Sequence, residues 1–231
     1  YRRSTCARLP IVTVVTDLVS LQMMWFSQAV DMCLVPTREA AAVATERSVD
    51  PESIHITGLP VNPELAAVPT SKTGARRALN WPEDKFTVLA VGSKRVEALE
   101  TFANIINHSG HDLHFVGVAG GNDQLYTALR DAEWHIPATI YDYITNMPDL
   151  MHAADCIVSK AGGLIVTESL ACGLPMLITQ VIPGQEIGNA KYLVDAGAGD
   201  LTLEPLRFLE TLGDWMANDK QLYQERAANA R

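Results

Sequence analysis

From residue 85 onward the chain repeats one pattern six times: a short apolar run, then a stretch with helical spacing. The runs fall at 86–91, 113–118, 138–141, 156–158, 176–178 and 198–201. The helical stretches fall at 96–106, 124–134, 147–154, 164–172, 187–196 and 206–216. Strand followed by helix, six times over, predicts an α/β fold: one Rossmann-like parallel sheet of about six strands with helices on both faces. Ligands of such sheets bind beyond the carboxyl ends of the strands, so the strand-to-helix loops are where chemistry is expected.

The first 60 residues read differently. A strand at 10–16 ends at Asp17, a second run spans 31–36, a helix is expected at 38–47, and 55–57 makes a third strand. These are too few strands for a whole domain, so residues 1–62 are read as the end of a second Rossmann-like domain whose beginning is missing. The chain opens on Tyr1 with no leader-like segment, which fits a piece of a longer protein. Four prolines and little periodicity mark 63–82 and the residues just before it as a linker. The second domain is then 83–231.

Composition narrows the partners. Hydrophobic residues are 48% and charged residues 19%, enough to bury a core. The 18 Lys and Arg against 27 Asp and Glu give a net charge of −9, which argues against nucleic acid and against a strongly basic membrane patch. No apolar run approaches the ~20 residues of a membrane-spanning helix. Cys6, Cys33, Cys156 and Cys172 include no C-x-x-C pair, so neither a disulfide framework nor a zinc site is suggested. His108, His111 and His114 do not share one helix, because Gly110 breaks it, and no metal is expected there.

Several loops carry polar chemistry. Ser159-Lys160-Ala161-Gly162-Gly163 follows a strand and opens a helix. Its glycines permit close backbone approach, and the helix start suits an anion such as a diphosphate; it is equally an ordinary turn. Glu168, on the same helix, suits a ribose diol or plain solvent. The loop from Pro183 to Ala190 holds Gln185, Glu186 and Asn189, whose amide and carboxylate ends match sugar hydroxyls, or else cap a helix. The loop from Asp142 to Pro148 offers backbone groups to a base edge, or simply an N-cap. Gly92-Ser93-Lys94-Arg95 ends the first strand of this domain with two cations that face phosphate or water.

Four segments, taken in order, resemble one family. They are 145–151 (TNMPDLM), 155–162 (DCIVSKAG), Gly173-Leu174-Pro175 and 183–190 (PGQEIGNA). With 14–26 (VVTDLVSLQMMWF) and 58–63 (GLPVNP), the chain is similar to the monogalactosyldiacylglycerol synthase family over most of residues 10–200. It is also similar to the processive diacylglycerol glucosyltransferases of bacteria and, more distantly, to the peptidoglycan N-acetylglucosaminyltransferase.

The resemblance implies the GT-B arrangement of two Rossmann-like domains. It implies transfer of a hexose from a UDP-sugar to a lipid acceptor, diacylglycerol first, with inversion and without a cofactor or a metal. A polyprenyl-linked acceptor and a non-catalytic UDP-sugar-binding relative are the alternatives. By resemblance Glu168 holds the ribose, Gln185 and Glu186 meet the donor sugar, and Asn189 supports their loop. Ile144 offers backbone groups to uracil, and Gly162 and Gly163 lie beside the diphosphate with Ser93 opposite. Asp17 is either the base or a structural turn residue. The family's usual histidine in the TDL…W segment is Gln22 here, and its glycine-rich first loop reads Gly92-Ser93-Lys94-Arg95, which leaves donor binding more secure than catalysis. A cytoplasmic protein, peripheral at the inner face of the membrane and reaching lipid through the missing N-terminal part, is expected.

Overall fold

Strands β4 (Phe86–Val91), β5 (Leu113–Val118) and β7 (Cys156–Lys160) are buried on both faces nearly throughout, as an interior parallel sheet requires. In the computed structural model, which describes residues 9–22, 25–67, 71–96 and 98–231, they form the centre of a six-stranded sheet. Its edges are completed by β6 (Ala138–Tyr141), β8 (Met176–Gln180) and β9 (Gly199–Leu201). The order is β6-β5-β4-β7-β8-β9, and every pairing is parallel. The chain thus winds outward from β4 to one edge, returns to β7 beside β4, and winds outward to the other edge. The reversal between β4 and β7 is the topological switch point, where a crevice opens beyond the strand ends.

Period-two burial divides the core between the faces. Phe86, Val88, Ala90, Phe115, Cys156 and Val158 pack on one side with Phe102, Phe208 and Trp215, while Leu89, Val116, Val118 and Ile157 pack on the other with Leu150, Met151 and Val166. The helices present matching stripes. In α3 (Leu99–Asn107) the buried apolar residues are Leu99, Phe102, Ala103 and Ile106; in α8 (Pro205–Met216) they are Phe208, Leu212 and Trp215. Helices α4 (Asp123–Asp131), α5 (Met147–Ala153), α6 (Gly163–Ala171) and α7 (Ile187–Asp195) complete the layers near the expected positions.

The N-terminal sheet is small: β1 (Val12–Val14), β2 (Met32–Val35) and β3 (Ile54–Ile56), parallel in that order, with α1 (Arg38–Glu46) against it. Val15, Cys33, Val35, Ala40, Ala44 and Val49 form its core, while Val12, Val14 and Ile56 stay about half exposed.

Two features differ from the reading of the sequence. The expected linker contains α2 (Lys72–Ala78), clamped to the large sheet rather than spanning freely. Arg76, 6% exposed, donates to the carbonyls of Ala153, Glu83 and Lys85 and ion-pairs with Asp155, which also accepts from Lys72 and the Thr87 amide. A last helix, α9 (Gln221–Asn229), follows three consecutive left-handed residues, Asn218, Asp219 and Lys220. No helix among the described residues is long and apolar enough to cross a membrane. Cys6, Met23, Met24 and Glu97 lie outside the described residues, as do 68–70 of the expected linker.

Candidate active site

The loops after β4 and β7 meet where the winding reverses. There a cavity of about 430 Å³ is lined by Gly92, Ser93 and Arg95 from the first loop, by Lys160, Gly162 and Gly163 from the second, and by Gln185 and Glu186 after β8. The N-terminal sheet contributes its fourth wall: Thr16 and Asp17, which follow β1, and Trp25. Larger hollows of about 540 and 640 Å³ lie elsewhere, the first behind Cys172 and Arg231 and the second between α3 and α4. Neither adjoins the carboxyl ends of the strands at the switch point, where this fold binds its ligands.

Each wall has a local cause. Gly92 has no room for a side chain, since a Cβ there would fall 2.5 Å from Leu125 Cδ2. Ser93 Oγ accepts from the Arg95 amide and tightens the turn. The first turn of α6 carries free amide N–H groups because its cap, Gly162, has no side chain to satisfy them. With the helix dipole these favour an anion in the cavity.

The two sheets join at this mouth. Asn189, fully buried on α7, accepts from the Leu18 amide at 2.8 Å and donates to Asp17 Oδ1 at 2.9 Å and to the Ala161 carbonyl at 3.1 Å. The Gly188 amide donates to Ser20 Oγ at 2.8 Å, and Thr37 Oγ1 donates to the Leu18 carbonyl at 2.6 Å. A Cβ on Gly163 would press into the Thr16 carbonyl and lie 2.8 Å from Asp17 Oδ1; one on Gly188 would lie 2.5 Å from Ser20. Residues 16–20 therefore lie so close to α6 and α7 that only glycine fits at either contact.

Of the residues singled out from sequence, Asp17, Ser93, Gly162, Gly163, Gln185 and Glu186 share the cavity wall. Ile144, Glu168 and Asn189 do not line it. Ile144 is half-buried before α5 and packs on the core, and both ends of the Asn189 amide are engaged by protein. Glu168 is half-buried on α6, and burial raises its carboxyl pKa above the ordinary value. Gln185 is exposed, whereas Glu186 is 4% exposed and both its oxygens are held: Oε1 by an ion pair with Lys160, Oε2 by the Ile182 amide at 3.0 Å. Gln22 is partly buried and does not line the cavity; Trp25, three residues on, does.

Sequence reasoning gave no role to Thr16, Trp25 or Lys160. The available signal for Lys160 was a cation ending a strand whose first three residues are apolar. Among the described residues no group of three or more His, Cys, Asp or Glu is placed to hold a metal ion. His114 is in the core instead, bonded to Thr139 Oγ1 at 3.0 Å and edge-on to Trp81.

Two parallel Rossmann-like sheets, joined at the carboxyl ends of their strands around a polar cavity at the switch point, define the GT-B class. Solved structures agree in fold. The chain superposes on Acinetobacter baumannii MurG with a TM-score of 0.68 at 20% identity, covering 97% of this chain and 62% of that one. Anabaena HepE in complex with UDP and glucose gives 0.64 at 17% identity, covering 96% and 66%.

The chain belongs to glycosyltransferase family 28: residues 87–231 match the family 28 C-terminal domain, and residues 2–61 match monogalactosyldiacylglycerol (MGDG) synthase. Among curated relatives, monogalactosyldiacylglycerol synthase 3 of Arabidopsis thaliana is 34% identical over 95% of this chain and 49% of its own length. The corresponding synthase of Spinacia oleracea is 29% identical over 97% of this chain and 45% of its own. The chain spans about half the length of the curated relatives it matches.

Proposed function

We propose that the protein transfers a hexose from a UDP-sugar to the free hydroxyl of diacylglycerol, with inversion, and that it needs neither a cofactor nor a bound metal. The observation that carries this reading is the cavity at the switch point, whose walls divide the work a donor needs. The N-terminal turn of α6 and Arg95 suit the two phosphates, and Gln185 and Glu186 suit sugar hydroxyls. Glu168 is assigned to the ribose and Ile144 to the uracil, on the strength of the resemblance to the relatives named above.

Inversion requires the acceptor hydroxyl to attack from the face opposite the departing UDP while a base takes its proton. Asp17 is the candidate base, since it brings a carboxylate from the N-terminal sheet to the cavity wall, against Gly163 at the start of α6. Arg95 and the α6 amides would stabilise the negative charge that builds on the leaving diphosphate. The protein is taken to act at the cytoplasmic face of a membrane as a peripheral protein. With a net charge of −9, this half has no general attraction for an anionic bilayer, so lipid contact is assigned to the other half.

The test is calorimetry with UDP, UDP-glucose and UDP-galactose, followed by a radiolabelled transfer assay on the full-length protein with diacylglycerol micelles. Binding of UDP-sugar and formation of glycolipid, both unchanged by EDTA, are the expected results. Binding that disappears with EDTA and returns with manganese would overturn the metal-free reading.

A second reading, a donor-binding relative that transfers no sugar, is favoured by Gln22 in place of the usual histidine and by the engagement of Asp17 with Asn189. It is selected if donor binds but no acceptor, a polyprenyl phosphate lipid included, is glycosylated.

A further inference from the structure

Lys160 ends β7, and its four predecessors in the strand are buried. The register with β8 slips there: Ser159 pairs with Ile178 but Lys160 with Gln180, a local irregularity of the kind that re-aims a side chain. The Lys160 ammonium lies on Glu186 Oε1 inside the donor cavity, the lysine side chain 18% and the glutamate side chain 6% exposed. Room for the pair comes from a glycine: a Cβ on Gly162 would sit 3.0 Å from Lys160 Nζ and 3.6 Å from Glu186 Oε1. The carboxylate assigned to the sugar is therefore already paired, and the cation paired with it stands among the loops assigned to phosphate.

We infer that Lys160 is an exchangeable counter-ion that leaves Glu186 for the donor's diphosphate and so frees Glu186 to receive sugar hydroxyls. This rests on the UDP-sugar reading above. A buried carboxylate is costly to leave unpaired, so the exchange is favourable only when hydroxyl donors replace the ammonium. A hexose supplies them. UDP alone does not, so it must compete with Glu186 for Lys160. The pair thus discriminates donor from spent nucleotide. Once the sugar has gone to the acceptor, Glu186 draws Lys160 back and weakens the hold on UDP.

The test is a double-mutant cycle read by calorimetry with UDP and UDP-glucose on the wild type, E186Q, K160M and the E186Q/K160M double variant, each checked for folding by circular dichroism. E186Q is isosteric, and the double variant leaves no buried charge unpaired, so the comparison survives even if K160M alone does not fold. Removing the competitor should tighten UDP about fivefold or more, while UDP-glucose gains less. Removing Lys160 from E186Q should then weaken UDP by about tenfold. Where K160M folds, E186Q should change its UDP affinity by less than about twofold.

Unchanged or weakened UDP binding in E186Q would overturn the exchange. So would an equal gain in the K160M background, which would mean plain charge repulsion. So would retention of the E186Q affinity in the double variant. A wild type that binds neither UDP nor UDP-glucose would instead overturn the donor-binding reading, and this inference with it.

Discussion

Asn189 makes three buried or half-buried hydrogen bonds, two of them, to Leu18 and Asp17, across the two sheets and one to Ala161 within its own. Asn189→Ala orphans the Leu18 amide and the Ala161 carbonyl together, at a cost on the order of 2–3 kcal/mol. Urea unfolding should show the lowered midpoint, and UDP affinity should fall with it because Asp17 loses its anchor; an unchanged midpoint would mean that the joint bears no load. His114 titrates at lower pH than an exposed histidine. Burial first, then the nearby Arg76 charge, lowers its pKa from 6.5 to about 4. Between those values the unfolded chain takes up a proton that the folded one refuses, so stability is complete above about pH 6.5 and falls as pH drops towards 4. His114→Asn should flatten this part of the stability–pH curve; a slope as steep as wild type would place the effect elsewhere. Residue roles were partly legible in the sequence, because loop glycines and amides mark strand ends. The partners were not: nothing in a string of letters says that Asn189 faces Asp17, 172 residues away, rather than a sugar.

Elements were more legible than contacts. The runs that became β4, β5 and α5 through α8 stood out because burial on both faces makes a strand uniformly apolar and burial on one face gives a helix its stripe. Helix α9 gave no such stripe, since QLYQERAAN has no fully buried residue. It is held instead by the bidentate Arg226–Asp200 pair and by Tyr223 edge-on to Phe86 at 4.8 Å. Helix α2 was read as linker because four prolines and little periodicity surround its seven residues; its order comes from Arg76 and Asp155, a buried pair 79 residues apart. Asp155→Ala leaves that guanidinium buried without its carboxylate, and should cost about 3–5 kcal/mol. Thermal unfolding with protease protection around residue 76 checks this: α2 should become cleavable well below the global transition.

At the scale of the molecule, the number and parallel sense of the strands followed from the repeat, but their lateral order did not. Strand order depends on which side of the sheet each helix crosses, and periodicity within a helix does not record that. The order matters because it places the loops after β4 and β7 side by side. Both small-sheet and large-sheet residues line the resulting cavity, so the proposed nucleotide binding is coupled to inter-sheet packing. Gly163→Ala, which forces a methyl against Thr16 and Asp17, should raise the dissociation constant for UDP and broaden the thermal transition together. A variant that weakened UDP while leaving the transition sharp would show the two to be separable.

The close seat of residues 16–20 on α6 and α7 also limits how such proteins can be recombined. A designer exchanging the N-terminal sheet for a relative's would cut between residues 57 and 85, where the polypeptide passes from one sheet to the other. That cut separates Asp17, Leu18 and Ser20 from Gly163, Gly188 and Asn189, contacts matched to within a methyl group. A working chimera has to carry the 16–20 turn along with the C-terminal sheet, or bring the partner's own glycines and asparagine to meet it. The inheritable module here is a seam, and it does not coincide with the boundary drawn along the sequence.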